Sequence, residues 1–161
     1  MFSDIKPRAF AHVRGGPLRP EITGTVWFLT APEGGTYVAA EIKGLPPYSP
    51  ASPSRPPIGP FGFHIHEGSC CVVGDVNNPF LSAGPHYNPD GQPHGNHAGD
   101  LPNLFGMDGT AVMIFFTNRF KPADVVGKTV IIHESPDDGT TQPSGNSGRR
   151  LACGEILEFR N

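Results

Sequence analysis

Glycine and proline interrupt this chain so often that long helices have little room to form. The 161 residues include 21 glycines and 19 prolines, about a quarter of the chain. Between these interruptions lie short runs rich in β-branched and aromatic residues, which is the composition of strands rather than helices. Clusters of Gly, Pro, Asn and Asp separate the runs and are typical of turns. The sequence therefore predicts an all-β protein and argues against a helical bundle.

Seven or eight short strands can be placed along the chain. Residues 22–31 and 36–42 flank the turn sequence Pro-Glu-Gly-Gly and predict a hairpin. The other candidates are residues 9–14, 61–66, 110–116, 128–133 and 151–159. Strands of this number and spacing are typical of a β-sandwich or barrel. The length favours one domain, which we take as residues 1–161.

Charge and hydropathy argue against several classes of partner. Twelve Lys and Arg against fifteen Asp and Glu give a net charge of −3, too acidic to attract nucleic acid or an anionic membrane. No apolar run approaches the roughly 18 to 20 residues of a membrane span, and the first residues lack a signal-peptide pattern. We expect no nucleic-acid or membrane partner. The chain as written is expected to be cytoplasmic, and a periplasmic or secreted location stays open if it is part of a longer precursor.

Three intervals are too long for simple hairpin turns: residues 46–60, 67–103 and 134–149. The first is a proline-rich insertion, which we expect to be a stiff exposed loop; the alternative is a docking segment for another protein. The other two intervals carry the residues with recognisable chemistry.

The histidines are concentrated in one part of the chain. Five of the seven lie between residues 64 and 97, and a sixth, His133, ends an apolar strand. His64 and His66 are two residues apart on a predicted strand, so both imidazoles project from one face and can converge on one metal ion. His12 lies outside this group and is expected to be an ordinary strand or surface histidine.

A second set of ligand-type residues follows in a turn-rich loop. His86, His94, His97 and Asp100 are separated by eight, three and three residues. Three imidazoles and one carboxylate suit a closed tetrahedral zinc site. The alternative is a polar loop whose histidines only hydrogen-bond with solvent.

Five segments of the chain resemble signature segments of the bacterial-type copper,zinc superoxide dismutases. They are FGFHIHEGSC, GPHYNP, HGNHAGDLPN, GKTVIIHE and SGNSGRRLACGEI. The resemblance implies a Greek-key β-sandwich, or flattened eight-stranded barrel, with long metal-binding and electrostatic loops. It implies an enzyme that converts superoxide to dioxygen and hydrogen peroxide by alternate reduction and oxidation of copper, with zinc structural. The alternative is a non-catalytic copper- and zinc-binding protein on the same fold, chaperone-like or a metal buffer.

The resemblance also implies roles for individual residues. It places copper on His64, His66, His86 and His133, and zinc on His86, His94, His97 and Asp100, so that His86 bridges the two metals. It makes Arg150 and His86 the catalytic side chains. It makes Asp137 the carboxylate that links a copper histidine to a zinc histidine through their outer ring nitrogens.

A disulfide is implied as well, with one partner ambiguous. Cys153 matches the strand cysteine of the family's internal bridge. Bacterial-type members carry its partner just after the H-I-H-E segment, which points to Cys70 or Cys71. We expect Cys70 to form the bridge, with Cys71 as the alternative. Phe80 occupies the position of the animal-type partner.

The resemblance leaves substrate guidance and assembly less defined. Residues 134–149 are short for an animal-type electrostatic loop, and Pro143 stands where that group carries a steering lysine. We expect weaker guidance of the anionic substrate, superoxide, or guidance by Arg149 and Lys128. Family members are commonly dimers, so the resemblance is compatible with a homodimer and with a copper-delivery partner.

Overall fold

A computed structural model describes residues 7–160; the ends of the predicted domain, residues 1–6 and 161, lie outside them. Over this range the chain forms eight strands and two short 3-10 turns. The strands are β1 (Pro7–Gly15), β2 (Thr23–Thr30), β3 (Thr36–Lys43), β4 (Phe61–His66), β5 (Asp100–Leu104), β6 (Ala111–Thr117), β7 (Thr129–His133) and β8 (Arg150–Glu158). Within the described range, no helix has the length and apolar character needed to cross a membrane. The all-β prediction is confirmed.

All strand pairs are antiparallel, in the order β5-β4-β7-β8-β1-β2-β3-β6. Strands β3 and β4 follow each other in sequence but are separated by four other strands in this hydrogen-bonded order. Strands β5 and β6 are also consecutive in sequence and stand at its two ends. Such long connections are those of a Greek key. The two edge strands, β5 and β6, approach each other and nearly close the sheet into a barrel. We call the gap between them the seam.

Alternating side chains fill the inside of the barrel. On β1, Ala9, Ala11 and Val13 are buried while the residues between them are more exposed. Burial that alternates at every second residue is typical of a strand with one face in the core and the other exposed to solvent. Strands β4 and β7 differ because every residue in them is buried. Their outer face is covered by the long loops, and the histidines lie there.

The strand boundaries predicted from sequence are close to the observed ones, except that β5 was missed. Its sequence, Asp-Leu-Pro-Asn-Leu, is five residues long and contains a proline. Proline cannot donate to a strand ladder, and it is tolerated here because β5 is an edge strand. The loop predicted at 67–103 therefore ends four residues early, at residue 99, where β5 follows.

The proline-rich insertion folds back on itself. Isolated bridges join Ser49 to Ile58 and Ser52 to Arg55. Its end is attached to the loop at 134–149, because the Ser135 hydroxyl donates to the Pro57 carbonyl at 2.7 Å and the Gly59 amide donates to the Glu134 carbonyl at 2.9 Å. Its middle is exposed, as predicted. Its role stays a prediction.

The disulfide joins Cys71 to Cys153, so the expected partner, Cys70, was wrong. The Cys71 amide donates to the Glu155 carboxylate on β8, which turns this residue toward that strand. The Cys71 side chain packs against a buried cluster that includes Phe80 and Ile131. Cys70, one residue earlier, is a partly exposed free thiol. Neighbouring residues of extended chain point in opposite directions, so only one of the two can face β8.

Replacing Cys71 with Ser is expected to destabilise the protein, whereas Cys70→Ser is expected to leave stability nearly unchanged. The bridge closes a loop with a sequence separation of 82, and removing it should cost about 2–4 kcal/mol, mainly through the larger entropy of the unfolded chain. Urea unfolding of both variants without reductant measures the difference. A larger loss in Cys70→Ser would contradict the assigned pairing.

Candidate metal centre

Three elements bring the predicted histidines to one place. His64 and His66 lie on the outer face of β4, and His133 ends the neighbouring strand β7. The segment around His86 runs beside β4 as a further bridge, with His66 opposite His86. Backbone hydrogen bonds on both sides of that bridge fix its register. The loop that follows brings His94, His97 and Asp100 against the far side of the His86 ring.

The side chains form two clusters that share His86. The first contains His64, His66, His86 and His133, and the second contains His86, His94, His97 and Asp100. In each cluster the atoms that can bind a metal lie within 4.8 Å of one another. Six of these residues are buried histidines, and the two clusters contain the same side chains as the two ligand sets that the resemblance implies.

In the first cluster, the hydrogen-bond partners determine which ring nitrogen faces inward. His66 donates from Nδ1 to the Gly84 carbonyl at 2.8 Å, and His133 donates from Nδ1 to the Gly148 carbonyl at 3.3 Å. A carbonyl only accepts, so the proton of each neutral ring lies on Nδ1. The two Nε2 atoms, 3.3 Å apart, therefore face each other with lone pairs. This contact is repulsive unless a cation lies between them.

In the second cluster, ring nitrogens surround one carboxylate. His86 Nδ1 lies 2.8 Å from Asp100 Oδ1, and the Nδ1 atoms of His94 and His97 each lie 3.2 Å from an Asp100 oxygen. The last two contacts lack hydrogen-bond geometry. The other Asp100 oxygen, Oδ2, accepts from the amides of Gly95 and His97 at 2.8 and 3.1 Å. The carboxylate is thus fixed by the loop that it faces.

Both clusters have the donor atoms that a metal requires. Among the described residues, five buried side-chain polar atoms lack a hydrogen-bond partner, and four of them are ring nitrogens of these clusters. They are His64 Nδ1, His86 Nε2, His94 Nδ1 and His97 Nδ1. Leaving such atoms buried and unpaired costs about 1–3 kcal/mol each. Coordination to a cation would satisfy all four, so the residues fit a pair of metal ions.

Burial keeps the rings neutral and able to coordinate. It lowers the pKa values of His66 and His133 well below the usual histidine range, and the neighbouring imidazoles lower them further. Burial also lowers the pKa of His86 to about 4, although the hydrogen bond to Asp100 opposes this. At neutral pH these rings therefore carry free lone pairs rather than protons on the inward nitrogens.

Asp137 connects the clusters from outside. Its two oxygens accept from His64 Nε2 at 2.6 Å and from His94 Nε2 at 2.8 Å. Burial would raise the pKa of this carboxyl, but these two hydrogen bonds and one from the Gly139 amide hold it well below its ordinary value. The side chain of Asn103 on β5 donates to the Asp137 backbone carbonyl and accepts from the Asp137 backbone amide. The resemblance implies a role for Asp137, whereas no pattern in the sequence marks Asn103.

Arg150 lies beside the first cluster at the start of β8. Its Nη1 donates to the Phe80 carbonyl at 2.6 Å and its Nη2 donates to the Gly84 carbonyl at 2.7 Å. The guanidinium is half-buried and lines an open cavity of about 510 Å³, together with His66, His86 and His133. The cavity gives a small molecule access from solvent to Arg150 and to the inner histidines.

The two cations expected to guide an anion are instead paired with carboxylates. Arg149 donates twice to Glu134, at 3.0 and 2.7 Å, and Lys128 lies 2.7 Å from Glu67. Pro143 lines the cavity. His12 lies on β1 at the outer sheet face, 3.1 Å from the Thr25 hydroxyl, and takes no part in the clusters.

Two more side chains hold the loop of the second cluster and were missed. Gln142 accepts from the His94 amide at 2.8 Å and donates to the His94 carbonyl at 3.3 Å. Arg119 donates to three carbonyls of the same loop. Neither residue lies in a motif, and their contacts depend on how distant loops meet. A single sequence carries no signal for them.

The family model described as copper/zinc superoxide dismutase (SODC) matches residues 22–156. This range includes all the ligand-type residues of both clusters. The chain belongs to the copper/zinc superoxide dismutase family. It is 36% identical, over 151 residues, to superoxide dismutase [Cu-Zn] 2 of Brassica juncea, covering 84% of this chain and 89% of that protein. Copper and zinc are the metals of this family, and the two clusters can bind metal ions.

Solved structures agree with the family assignment. The Cu/Zn superoxide dismutase of Brucella abortus has a TM-score of 0.72 at 28% identity, covering 91% of this chain and 98% of that chain. A protein of Bacillus subtilis described as SOD-like has a TM-score of 0.71 at 33% identity, covering 92% and 97%. The fold is therefore that of copper/zinc superoxide dismutases.

Replacing Asp137 with Asn is expected to weaken metal binding in both clusters. An amide offers one acceptor oxygen where the carboxylate offers two, so His64 or His94 loses the partner that orients its ring. Loss of such a partner typically raises the metal dissociation constant about 10- to 100-fold. Competitive titration with a chromophoric chelator measures this.

Asp138→Asn is the matched control for that titration. It removes the adjacent carboxylate, whose described partners are Thr140 and Thr141. Equal weakening in both variants would contradict the role assigned to Asp137.

Proposed function

We propose that this protein is a superoxide dismutase, which converts two superoxide anions and two protons into dioxygen and hydrogen peroxide. The observation that carries the proposal is the arrangement of Arg150 at the cavity that leads to the first cluster, with His86 shared between both clusters. A metal-storage protein needs ligands, but it does not need a fixed guanidinium beside an open cavity.

The donor atoms assign the metals to the clusters. His64, His66, His86 and His133 would hold copper, since four nitrogen donors support both of its oxidation states. His86, His94, His97 and Asp100 would hold zinc, since three imidazoles and a carboxylate suit a closed tetrahedral site. When bound, copper would supply a one-electron couple and zinc a fixed positive charge. The unpaired ring nitrogens of His64 in the first cluster and of His94 and His97 in the second support a position of His86 between the two metals.

Arg150 provides the binding site for the anion. Arginine stays charged at any physiological pH, even though burial lowers the pKa of this guanidinium. Two of its five N–H donors are engaged by the Phe80 and Gly84 carbonyls, which fix the plane of the group. The remaining donors are available to a small diatomic anion in the cavity. The fixed orientation places that anion beside the first cluster without a rearrangement.

The Gly84 carbonyl couples Arg150 to the histidines. It accepts from Arg150 at 2.7 Å and from His66 at 2.8 Å, so one backbone atom orients the anion site and one ligand ring. The chain that presents this carbonyl begins near Cys71, whose bridge to β8 anchors it close to Arg150. The disulfide therefore supports the geometry of the anion site.

His86 is the group of this chain that is best placed to supply a proton to the product. It lines the cavity, and its Nε2 atom has no hydrogen-bond partner in the protein. The low pKa of His86 leaves this atom unprotonated at rest, so it can take a proton from solvent and pass it to peroxide. The second proton that hydrogen peroxide needs comes from solvent. The Nδ1 atom faces the second cluster, which keeps the ring in a fixed orientation during the transfer.

A second candidate is a metal-binding protein without catalysis on the same fold. Pairing of Arg149 with Glu134 and of Lys128 with Glu67 favours it, because these pairs remove the positive charges that would draw superoxide to the cavity. Catalysis is the better-supported function because Arg150 is retained and fixed. The homodimer, the copper-delivery partner and the location in the cell stay predictions.

The decay of superoxide after pulse radiolysis, measured on protein loaded with copper and zinc, tests the proposed function. We expect a fast decay that depends on copper. Arg150→Ala should lower the second-order rate constant about 10- to 100-fold, the effect of losing about 1.5–3 kcal/mol of charge-assisted binding. Arg160→Ala, which removes an equal charge from an exposed position, should leave the rate unchanged. No catalysis by fully loaded protein would favour the metal-binding alternative.

A further inference from the structure

Arg119 makes an unusual set of contacts for an exposed arginine that follows an edge strand. It lies two residues beyond the end of β6. Its Nη1 donates to the carbonyls of His97 at 3.0 Å and Asp100 at 3.4 Å, and its Nη2 donates to the Gly95 carbonyl at 3.1 Å. All three acceptors belong to the loop that carries the second cluster. The guanidinium thus holds the backbone of two ligand-type residues directly.

The same loop is held from the inside by the carboxylate of Asp100. Asp100 Oδ2 accepts from the Gly95 and His97 amides at 2.8 and 3.1 Å. The amides of residues 95 and 97 therefore point inward to the carboxylate, and the carbonyls point outward to Arg119. The orientation of the loop backbone sets where the His97 ring and the Asp100 carboxylate can meet. Removing Arg119 leaves the Gly95, His97 and Asp100 carbonyls without the guanidinium, while the inward contacts to Asp100 and the Gln142 contacts to His94 remain.

The hydrogen bonds of Arg119 connect the two edges of the barrel. The loop leads directly into β5, while Arg119 follows β6, and these are the two edge strands of the barrel. A cavity of about 410 Å³ lies along the seam, lined by residues of both edges such as Leu101, Phe115 and Arg119. In the order of hydrogen-bonded strands, β5 and β6 are not neighbours. Arg119 bridges the gap by side-chain hydrogen bonds.

We propose that Arg119 is a positioning residue for zinc, which ties the zinc-binding loop to the β6 edge so that zinc binding and closure of the seam strengthen each other. The inference rests on the assignment of zinc to His86, His94, His97 and Asp100 under the proposed function. Coupling of this kind is reciprocal: if the closed seam favours zinc, zinc favours the closed seam by the same factor.

Arginine suits this role better than lysine. Its planar group offers donors on two separate nitrogens in a fixed geometry and reaches three carbonyls at once. A lysine ammonium is a compact charge on a flexible stem and cannot span the same acceptors in one orientation. Arg119→Lys should therefore retain the charge but only part of the positioning effect.

The test is a titration of copper-free protein with Zn²⁺ against a chromophoric chelator. We expect Arg119→Met to raise the zinc dissociation constant about 10- to 100-fold, as for other residues that orient metal ligands. Arg119→Lys should fall between this variant and the unmodified protein. Arg14→Met, which removes an equal charge from the exposed face of β1, should change nothing. The visible absorption of Co²⁺ bound in place of zinc should change in Arg119→Met, because it reports ligand geometry rather than stability.

Unchanged zinc affinity and an unchanged Co²⁺ spectrum in Arg119→Met would overturn the positioning role while leaving the zinc assignment intact. Failure of the unmodified protein to bind zinc would instead overturn the assignment, and the positioning role with it. The two failures are therefore distinguishable.

Hydrogen exchange in the unmodified protein tests the same coupling without a variant. Zinc should slow amide exchange in residues 115–121, which contain none of the proposed ligands, by a larger factor than in β2. General stabilisation would slow both segments equally. Equal slowing, or no slowing in residues 115–121, would overturn the coupling.

Discussion

Two ring nitrogens with lone pairs, on His66 and His133, face each other across 3.3 Å inside this protein. Carbonyl acceptors hold the protons on the opposite side of each ring, so the rings cannot relieve the contact by exchanging tautomers. Protonation is opposed by burial, which lowers the pKa values of both rings. A cation is the remaining partner. Strands β4 and β7 and the loops that cover them therefore form a binding site for that cation.

The barrel provides the rigidity that such an arrangement needs. Its inner core is apolar and is built from alternating residues on each strand, so it does not depend on the polar cluster outside. The histidines lie on the opposite face of the same strands, where the backbone ladder fixes their spacing. The loops at 67–99 and 134–149 then cover them, and each is anchored: the first by the disulfide and Arg119, the second by Asn103 and the proline-rich insertion. Asp137 in the second loop joins it to the first loop through His94 and to β4 through His64.

Much of this organisation could be predicted from the sequence. The two-residue spacing of His64 and His66 determines that they share a face, and the ligand-type residues of the loop lie in a short, closely spaced segment. The structure brings the residues of these local patterns together in two clusters. The pairing of Cys153 was not, because Cys70 and Cys71 differ only in which direction their side chains point, and that depends on a contact with Glu155. Strand β5 was missed because its proline hides an edge strand.

Other features lie beyond what one sequence can reveal. Arg119, Gln142 and Asn103 act on backbone groups of distant loops, so no motif marks them. Arg149 and Lys128 have the charge of steering residues, but each meets a carboxylate that only the folded chain brings near. For all five residues the sequence gives the type of side chain but does not reveal the group that it contacts. Tertiary contacts between loops, rather than strand propensities, decide the chemistry at the rim of this site.

Anomalous X-ray diffraction at the copper and zinc edges, from crystals of protein loaded with both metals, would locate each metal relative to the two clusters. We expect one copper peak among His64, His66, His86 and His133, and one zinc peak among His86, His94, His97 and Asp100, with the His86 ring between the two. A metal bound elsewhere, or a His86 ring that contacts neither peak, would contradict it.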